Sequence, residues 1–269
     1  MFSKLFMNSK KTKQESLPKK IDKKPKVENT RIGDIGEYKI NIQLDQLPKE
    51  DFKYLSDVML PNTQSKSGYS QIDHIIFTSH AILVVETKNY TGTIYGDRNR
   101  MKWSLNGKFQ FMNPFHQNIG HIKAIQSLLP TVSEEAYISM ISFNRRSTFK
   151  VNEELRKIQS NDLIVYDTEL SEFITRKINV LKLLNDKPLF SDDEVSSIFN
   201  IIKDSNNTDP KTRELHVDLL SGKIQKPATS SSEPSCKTCG KEVSEKVHQF
   251  CLANVNRFKG NVYCYEHQK

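Results

Sequence analysis

The sequence predicts an α/β protein in which helices pack on a mixed sheet with an antiparallel hairpin, followed by a small cysteine-rich module. Strand-like runs rich in Ile and Val lie between segments whose apolar residues recur at helical spacing, and this order is typical of an α/β domain. All four cysteines lie in the last 34 residues, which indicates a separate module at that end.

The elements follow from local signals. Ile35, Tyr38 and Ile42 share one helical face and predict a first helix that ends near Leu44. Asn113 and Pro114 predict the start of a second helix, because an N-cap residue is followed by Pro at the first helical position. Two further helices are predicted over 168–184 and 192–202. The predicted strands are 52–60, 69–77, 81–88, 93–95, the segments on either side of Asn106-Gly107, 137–143 and 163–166, and residues 93–112 are expected to continue the same sheet.

Composition and charge divide the chain further. The net charge of +8 is carried by residues 1–30 (+6) and 222–269 (+4), whereas the middle is slightly acidic (−2). We therefore predict a disordered basic arm over 1–30, an α/β domain over 31–203, a linker over 204–235 and a cysteine module over 236–269. No run approaches the roughly 18 to 20 apolar residues of a membrane span, so we expect a cytoplasmic protein with no membrane span.

The most informative segment is the hairpin of residues 71–88. A two-residue turn at Ser79-His80 places Asp73 opposite Glu86, and strand alternation puts Glu86 and Lys88 on one face. Opposed carboxylates in so apolar a hairpin repel each other and need a cation, for which Mg²⁺ or Mn²⁺ is suited. The alternative is that both acids face solvent, with Lys88 as a cross-strand partner.

Four short motifs, in order and spacing, resemble the nuclease-related domain (NERD) family of the PD-(D/E)xK nuclease superfamily. They are Gly33-Asp-Ile-Gly-Glu37, Ile72-Asp73-His74, Glu86-Thr-Lys88 and Asn113-Pro-Phe-His-Gln117. The resemblance covers about residues 31–147. Ile72 stands where the superfamily name has Pro. The resemblance implies a restriction-endonuclease-like core.

The resemblance also implies roles for individual residues. Asp73, Glu86 and the Thr87 carbonyl would be ligands of Mg²⁺ or Mn²⁺, and Glu37 would be a further carboxylate. Lys88 would lie near the attacking water, and Gln117 would be the polar residue of the helix behind the site. It further implies a metal-dependent nuclease or DNA-processing enzyme that hydrolyses phosphodiester bonds.

The chemistry is consistent with that expectation. Phosphodiester hydrolysis needs an activated water and charge stabilisation, which carboxylate-bound cations and a lysine supply. His121 lies one helical turn after Gln117 and either touches substrate, positions Lys88 or is a structural histidine. Residues 98–103 and 145–150 combine basic and aromatic side chains suited to DNA, or RNA, although a solvated hairpin face is the competing interpretation. Two other functions stay open: a catalytically inactive nucleic-acid-binding protein and a protein-interaction adaptor.

The cysteine module predicts a zinc site. Cys236 and Cys239 have the two-residue spacing of a zinc knuckle, and Cys264 and His267 form a second pair. Together they make a Cys₃His set for Zn²⁺, with Cys251 as an alternative ligand or a core thiol. A helix is expected between the two pairs, and Lys259-Gly260 is expected to turn into a strand.

Overall fold

The computed structural model of the protein describes residues 29–223 and 235–268. Its helices are α1 (Asn29–Asp45), α2 (Pro114–Leu128), α3 (Leu170–Leu184), α4 (Asp192–Ser205), α5 (Pro210–Leu220), α6 (Glu245–Ala253) and α7 (Val255–Phe258). Its strands are β1 (Lys53–Pro61), β2 (Tyr69–Phe77), β3 (Ile82–Lys88), β4 (Gly92–Tyr95), β5 (Lys102–Leu105), β6 (Phe109–Met112), β7 (Tyr137–Phe143), β8 (Ser147–Lys150) and β9 (Asp162–Tyr166). The predicted basic arm lies outside the described residues, except for its last two, which begin α1.

The main sheet has five strands in the order β1-β2-β3-β7-β9, and it is mixed as predicted. The pairs β1–β2 and β2–β3 are antiparallel, whereas the pairs β3–β7 and β7–β9 are parallel. In the central hairpin, His74 pairs with Val85 and Phe77 with Ile82. This is the predicted register, and continuing it by one residue places Asp73 opposite Glu86.

The segment expected to extend this sheet forms a second sheet instead. β4, β5 and β6 belong to a four-stranded sheet in the order β6-β5-β4-β8, where β8 runs parallel to β4. The prediction was wrong because β3 already pairs with β2 on one side and β7 on the other. No edge of β3 is therefore left for β4 to extend.

Helices cover both faces of the main sheet. α1 and α3 pack on one face, where Ile40 and Ile174 belong to the same buried cluster as Leu83 and Val85 of β3. α2 and α4 cover the other face, where the cluster includes the alternate residues Ile82 and Val84. Because strand side chains alternate, Glu86 and Lys88 extend the row that faces α2.

The position of α2 is fixed by two fully buried asparagines. Asn113 caps the helix by accepting a hydrogen bond from Phe115 N (3.0 Å). Asn118 donates to Val84 O (3.0 Å) and to Ser139 Oγ (2.9 Å), which ties the helix to β3 and β7. Gln117 and His121, on either side of Asn118, are thereby held against the end of β3.

Part of the segment predicted as a linker is packed on the domain. Asn206 Oδ1 accepts a hydrogen bond from Met59 N (2.8 Å), and Asp209 caps α5 through Thr212 N (3.0 Å). The polar composition of residues 204–220 suggested a linker, yet several of its polar groups are used as hydrogen-bond partners of β1. Residues 224–234 lie outside the described part of the chain.

The cysteine module has its own small core of Val247, Cys251 and Phe258. Gly240 follows the first cysteine pair with φ +71°, a left-handed conformation that glycine adopts without steric cost. The expected helix is α6. The strand expected after Lys259-Gly260 is absent from residues 261–268, which form an irregular stretch and a single 3₁₀ turn at Tyr265–His267.

Within residues 29–223 and 235–268, no helix combines the length and apolar content that crossing a bilayer requires.

Candidate functional site

Glu86 and Lys88 form a buried ion pair at the end of β3. Glu86 is 3% exposed, and its Oε1 contacts Lys88 Nζ. Lys88 Nζ also donates to Gln117 Oε1 of α2 (3.1 Å). Burial alone raises the pKa of Glu86, but the Lys88 ammonium and then contact with His121 outweigh it and lower the pKa below its ordinary value. Glu86 is therefore an ionised carboxylate inside the protein.

Asp73 of β2 lies beside this pair. Its Oδ2 accepts a hydrogen bond from Thr87 N (2.6 Å). Burial, and then the negative charges of Glu86 and Glu37, raise the pKa of Asp73 well above its ordinary value, against the opposing effects of the Thr87 amide and the Lys88 ammonium. Three carboxylates thus share one region with the Lys88 ammonium. The role of the Thr87 carbonyl stays a prediction, since the contact seen here is made by the Thr87 amide.

Glu37 reaches the site because α1 passes close to the end of β3. A Cβ at Gly36 would lie 3.1 Å from the Asn89 Cβ and 3.3 Å from the Thr87 Cγ2, which is tighter than ordinary van der Waals contact. The absence of a side chain at Gly36 allows this approach. Glu37, the next residue, lines the same pocket as Asp73.

His121 is a residue of this site that spacing alone left undecided. It is 6% exposed, and its Nε2 lies 3.4 Å from Glu86 Oε2. Neither ring nitrogen has a hydrogen-bond partner, and Glu86 Oε2 has none either. The spacing of four residues after Gln117 was the available signal, because residues so spaced lie on one helical face. α2 therefore presents Gln117 to Lys88 and His121 to Glu86.

These side chains adjoin a pocket of about 610 Å³. Glu37, Asp73, Gln117 and His121 form part of its wall. Across from them it is lined by α5, through His216 and Leu220. Sequence reasoning missed α5 because residues 204–220 carry no site motif and read as a linker.

The two basic and aromatic segments differ in how far their rings are buried. Trp103 is 1% exposed and packs with Phe115 and Phe143, so it belongs to the core. Phe149 stacks on Tyr166 with ring centroids 4.5 Å apart. The predicted use of Trp103 for base stacking is therefore wrong, because this ring is buried in the core. Phe149 is partly buried, and its use for stacking stays a prediction.

A second cluster lies in the cysteine module. The ligand atoms of Cys236, Cys239, Cys264 and His267 all lie within 4.8 Å of one another, which can hold a metal ion. His267 Nδ1 is 3.2 Å from Cys264 Sγ and 3.5 Å from Cys236 Sγ, and the Sγ atoms of Cys239 and Cys264 are 3.8 Å apart without a disulfide. In a tetrahedral zinc site, each sulfur ligand lies about 2.3 Å and each nitrogen ligand about 2.0 Å from the ion. Two ligand atoms so placed are about 3.5 to 3.8 Å from each other.

The local backbone favours a thiolate here. Burial raises the pKa of the Cys236 thiol, but hydrogen bonds from backbone N–H groups, including that of Cys264, lower it to about 5.

Cys251 lies outside the cluster and is buried in the module core. Its Sγ lies 3.5 Å from the backbone N and O of Tyr263. Within the described residues, the Cys₃His set is the compact group of three or more metal-ligating side chains, and Asp73, Glu86 and Glu37 do not form such a group.

Fold and site together define an α/β domain with a buried acid–lysine pair on a mixed sheet. Residues 32–144 match the nuclease-related domain family, over nearly the same residues that the motifs indicated. An uncharacterised protein of Bacillus anthracis is 32% identical over 198 residues, which cover 72% of this chain and 86% of that protein. The chain belongs to the nuclease-related domain family. No solved structure matches it significantly.

Proposed function

We propose that this protein is a metal-dependent nuclease that hydrolyses phosphodiester bonds of DNA or RNA. The observation that carries the proposal is the Glu86–Lys88 ion pair at the end of β3, with Asp73 opposite. Asp73 lines the pocket together with Gln117 and His121, which contact this pair. Membership of the nuclease-related domain family supports a nuclease-related function. The alternatives, an inactive nucleic-acid-binding domain or an adaptor, do not need two carboxylates and a lysine at one place.

The residues present suit a hard divalent cation such as Mg²⁺ or Mn²⁺. Such ions take carboxylate oxygens, and Glu86 Oε2 is a buried oxygen with no hydrogen-bond partner. Burial, and then repulsion from Glu86 and Glu37, raise the pKa of Asp73, and a cation would relieve that repulsion. When bound, the ion would supply charge neutralisation on the phosphate and activation of the attacking water. Asp73 and Glu86 would hold it, with Glu37 as an additional acid.

The chain's own residues would perform the remaining tasks. The Lys88 ammonium would place positive charge beside the reacting phosphate, where it stabilises the charge that develops during hydrolysis. Gln117 would keep Lys88 Nζ in position through its 3.1 Å hydrogen bond. His121 would limit the orientation of the Glu86 carboxylate, since its ring packs against that group with Nε2 3.4 Å from Oε2.

We further propose that Zn²⁺ occupies the Cys₃His cluster as a structural ion. Four protein ligands leave no position for substrate, which distinguishes this cluster from a catalytic zinc site. Among the residues whose burial is described, the core cluster of the module comprises Val247, Cys251 and Phe258. Metal binding would therefore contribute much of its folding free energy.

The nuclease proposal is tested with the zinc-loaded protein and labelled single-stranded DNA, duplex DNA, nicked DNA and RNA. Each substrate is incubated with Mg²⁺, with Mn²⁺ and in buffer without added divalent ions. That last condition is preferable to EDTA alone, because EDTA would also remove zinc. We expect cleavage only with Mg²⁺ or Mn²⁺, and its loss in Asp73→Ala and Lys88→Ala.

Two matched variants control for surface charge. Lys123→Ala removes an exposed lysine of α2, and Asp193→Ala removes an exposed aspartate of α4. Both should cleave as the natural sequence does. Cleavage that needs no divalent ion, or equal cleavage by Asp73→Ala and Asp193→Ala, would refute the proposal.

A further inference from the structure

Helix α5 is fastened to the strands that carry the candidate site. Arg213 Nη1 donates to Asp57 Oδ2 (2.6 Å), and Arg213 Nη2 donates to the Asp57 carbonyl (2.8 Å). One turn later, His216 is 3% exposed, and its Nδ1 lies 2.7 Å from Ser67 Oγ in the β1–β2 connection. These two attachments hold α5 in a defined position, where His216 and Leu220 line the pocket.

The Arg213–Asp57 contact is made at the β1 residue that lies opposite the proposed metal ligand Asp73 of β2. Ser56 pairs with His74 and Val58 with Ile72, so Asp57 stands opposite Asp73. Asp57 has φ +52°, a conformation that is uncommon for a residue other than glycine. In this conformation, the carboxylate and the carbonyl of Asp57 both accept hydrogen bonds from the Arg213 guanidinium. These bonds hold α5 beside the site.

The pocket enclosed by α5 combines acidic and apolar side chains. Tyr69 and Asp73 lie on the same face of β2, four residues apart, which corresponds to about 13 Å along a strand. Tyr69 Oη accepts a hydrogen bond from Asn207 Nδ2 (3.3 Å), next to α5. His116 and Leu220 complete this less polar part of the lining. A site for phosphate chemistry is therefore continuous with rings and apolar groups suited to a nucleobase.

We propose that this pocket binds an unpaired nucleotide, so that the site acts on single-stranded nucleic acid or on unpaired ends. The inference rests on the proposed nuclease function and adds a substrate class to it. The phosphate of the nucleotide lies at Asp73 and Gln117, the lining residues next to the Glu86–Lys88 pair, and its base lies against Tyr69 and His116 beside α5. The pocket volume is within the range of sites for small ligands.

Paired bases do not fit this arrangement without rearrangement. In a duplex the base is stacked and paired, and inserting it into a pocket costs a few kcal/mol of unstacking and unpairing. An unpaired base has little of this cost. We therefore expect a preference of at least about tenfold for an unpaired end over a blunt end, since 1.4 kcal/mol corresponds to a factor of ten.

The test measures binding and cleavage separately with the natural full-length chain. Binding is followed by fluorescence anisotropy of labelled single-stranded DNA, single-stranded RNA, blunt duplex DNA and the same duplex with an unpaired tail, in Ca²⁺ at one salt concentration. Cleavage of the same four substrates is then followed in Mn²⁺. The expected result is tighter binding and faster cleavage of the substrates with unpaired nucleotides. Equal binding of blunt and tailed duplex would overturn the inference.

One substitution tests the pocket itself. Leu220 is 59% exposed and lines the pocket, so Leu220→Trp should fill the base site while leaving the fold intact. We expect binding of single-stranded DNA to fall by roughly fivefold or more, the scale of one lost base stack. Leu215→Trp is the matched control, because Leu215 is 49% exposed on the same helix and is not part of the pocket. An equal effect of both substitutions would overturn the inference.

The two proposals can fail separately. If cleavage requires Mn²⁺ and Asp73 but shows no preference for unpaired ends, the substrate inference is wrong and the nuclease proposal stands. If no substrate is cleaved but unpaired nucleotides bind preferentially and Leu220→Trp weakens this binding, the pocket assignment stands and the nuclease proposal is wrong. Absence of binding to all four substrates would overturn the pocket assignment.

Discussion

The two proposed metal sites of this protein are built on opposite principles. In the cysteine module, four ligand atoms lie within 4.8 Å of one another, and nearby backbone N–H groups favour the thiolate of Cys236. At the end of β3, the described acids do not form such a compact group, and Lys88 already neutralises Glu86. A structural metal site has all its coordination positions filled by protein ligands, whereas a catalytic site leaves a position open for substrate or water.

The largest expected effect is loss of zinc. Cys236→Ser removes one of four ligands and should abolish stoichiometric zinc binding, as measured by native mass spectrometry. The module should lose its fold, because zinc binding and folding of such modules are coupled. Cys251→Ser is the matched control and should retain zinc, since Cys251 Sγ contacts Tyr263 instead of the cluster. Zinc retained by Cys236→Ser and lost by Cys251→Ser would show that the ligand set is wrong.

The next effect concerns Lys88. Lys88→Ala should reduce the cleavage rate by roughly a hundredfold to a thousandfold, the typical result of removing one group that stabilises developing charge. Zinc content should not change, because the two sites share no ligand. Single-turnover cleavage in Mn²⁺ measures the rate. A variant that keeps the full rate would remove Lys88 from the mechanism.

A smaller effect is expected at His121. His121→Phe keeps a ring in the buried site but removes the nitrogen that lies 3.4 Å from Glu86. Cleavage and Mn²⁺ affinity should both fall by about tenfold to a hundredfold, as is usual for residues that orient a metal ligand. If the melting temperature falls while Mn²⁺ affinity is unchanged, His121 is a structural residue only.

The smallest effect is on stability. In the absence of divalent ions, the pKa of Asp73 is raised in the folded protein by burial and by Glu86 and Glu37. The folded state therefore loses stability as the pH rises from the ordinary aspartate pKa to this raised value. Asp73→Asn should melt at a higher temperature than the natural sequence near pH 7 and at the same temperature near pH 3, where both side chains are uncharged. A lower melting temperature near pH 7 would contradict the repulsion.

Much of this site was predictable because it depends on one hairpin. Turn position and strand alternation determine that Asp73 faces Glu86, and both follow from local sequence. The second sheet was not predictable in the same way, because it arises when β7 occupies the free edge of β3. That pairing joins residues far apart in the sequence.

The contribution of α5 could not be read from sequence for a related reason. Asp209 and Pro210 mark a helix start, but nothing local indicates that Arg213 pairs with Asp57, which is 156 residues away along the chain. His121 was an intermediate case. Its spacing from Gln117 placed it on the correct helical face, yet its contact with Glu86 depends on how Asn118 seats α2 on the sheet.

The central claim is that Asp73 and Glu86 hold a divalent cation. It is tested most directly by titrating Mn²⁺ into zinc-loaded protein and measuring bound Mn²⁺ by electron paramagnetic resonance, with Asp73→Asn and the surface control Asp193→Asn in parallel. The natural sequence and Asp193→Asn should bind Mn²⁺ with the same affinity, and Asp73→Asn should lose that binding. Equal Mn²⁺ binding by all three proteins would contradict the claim.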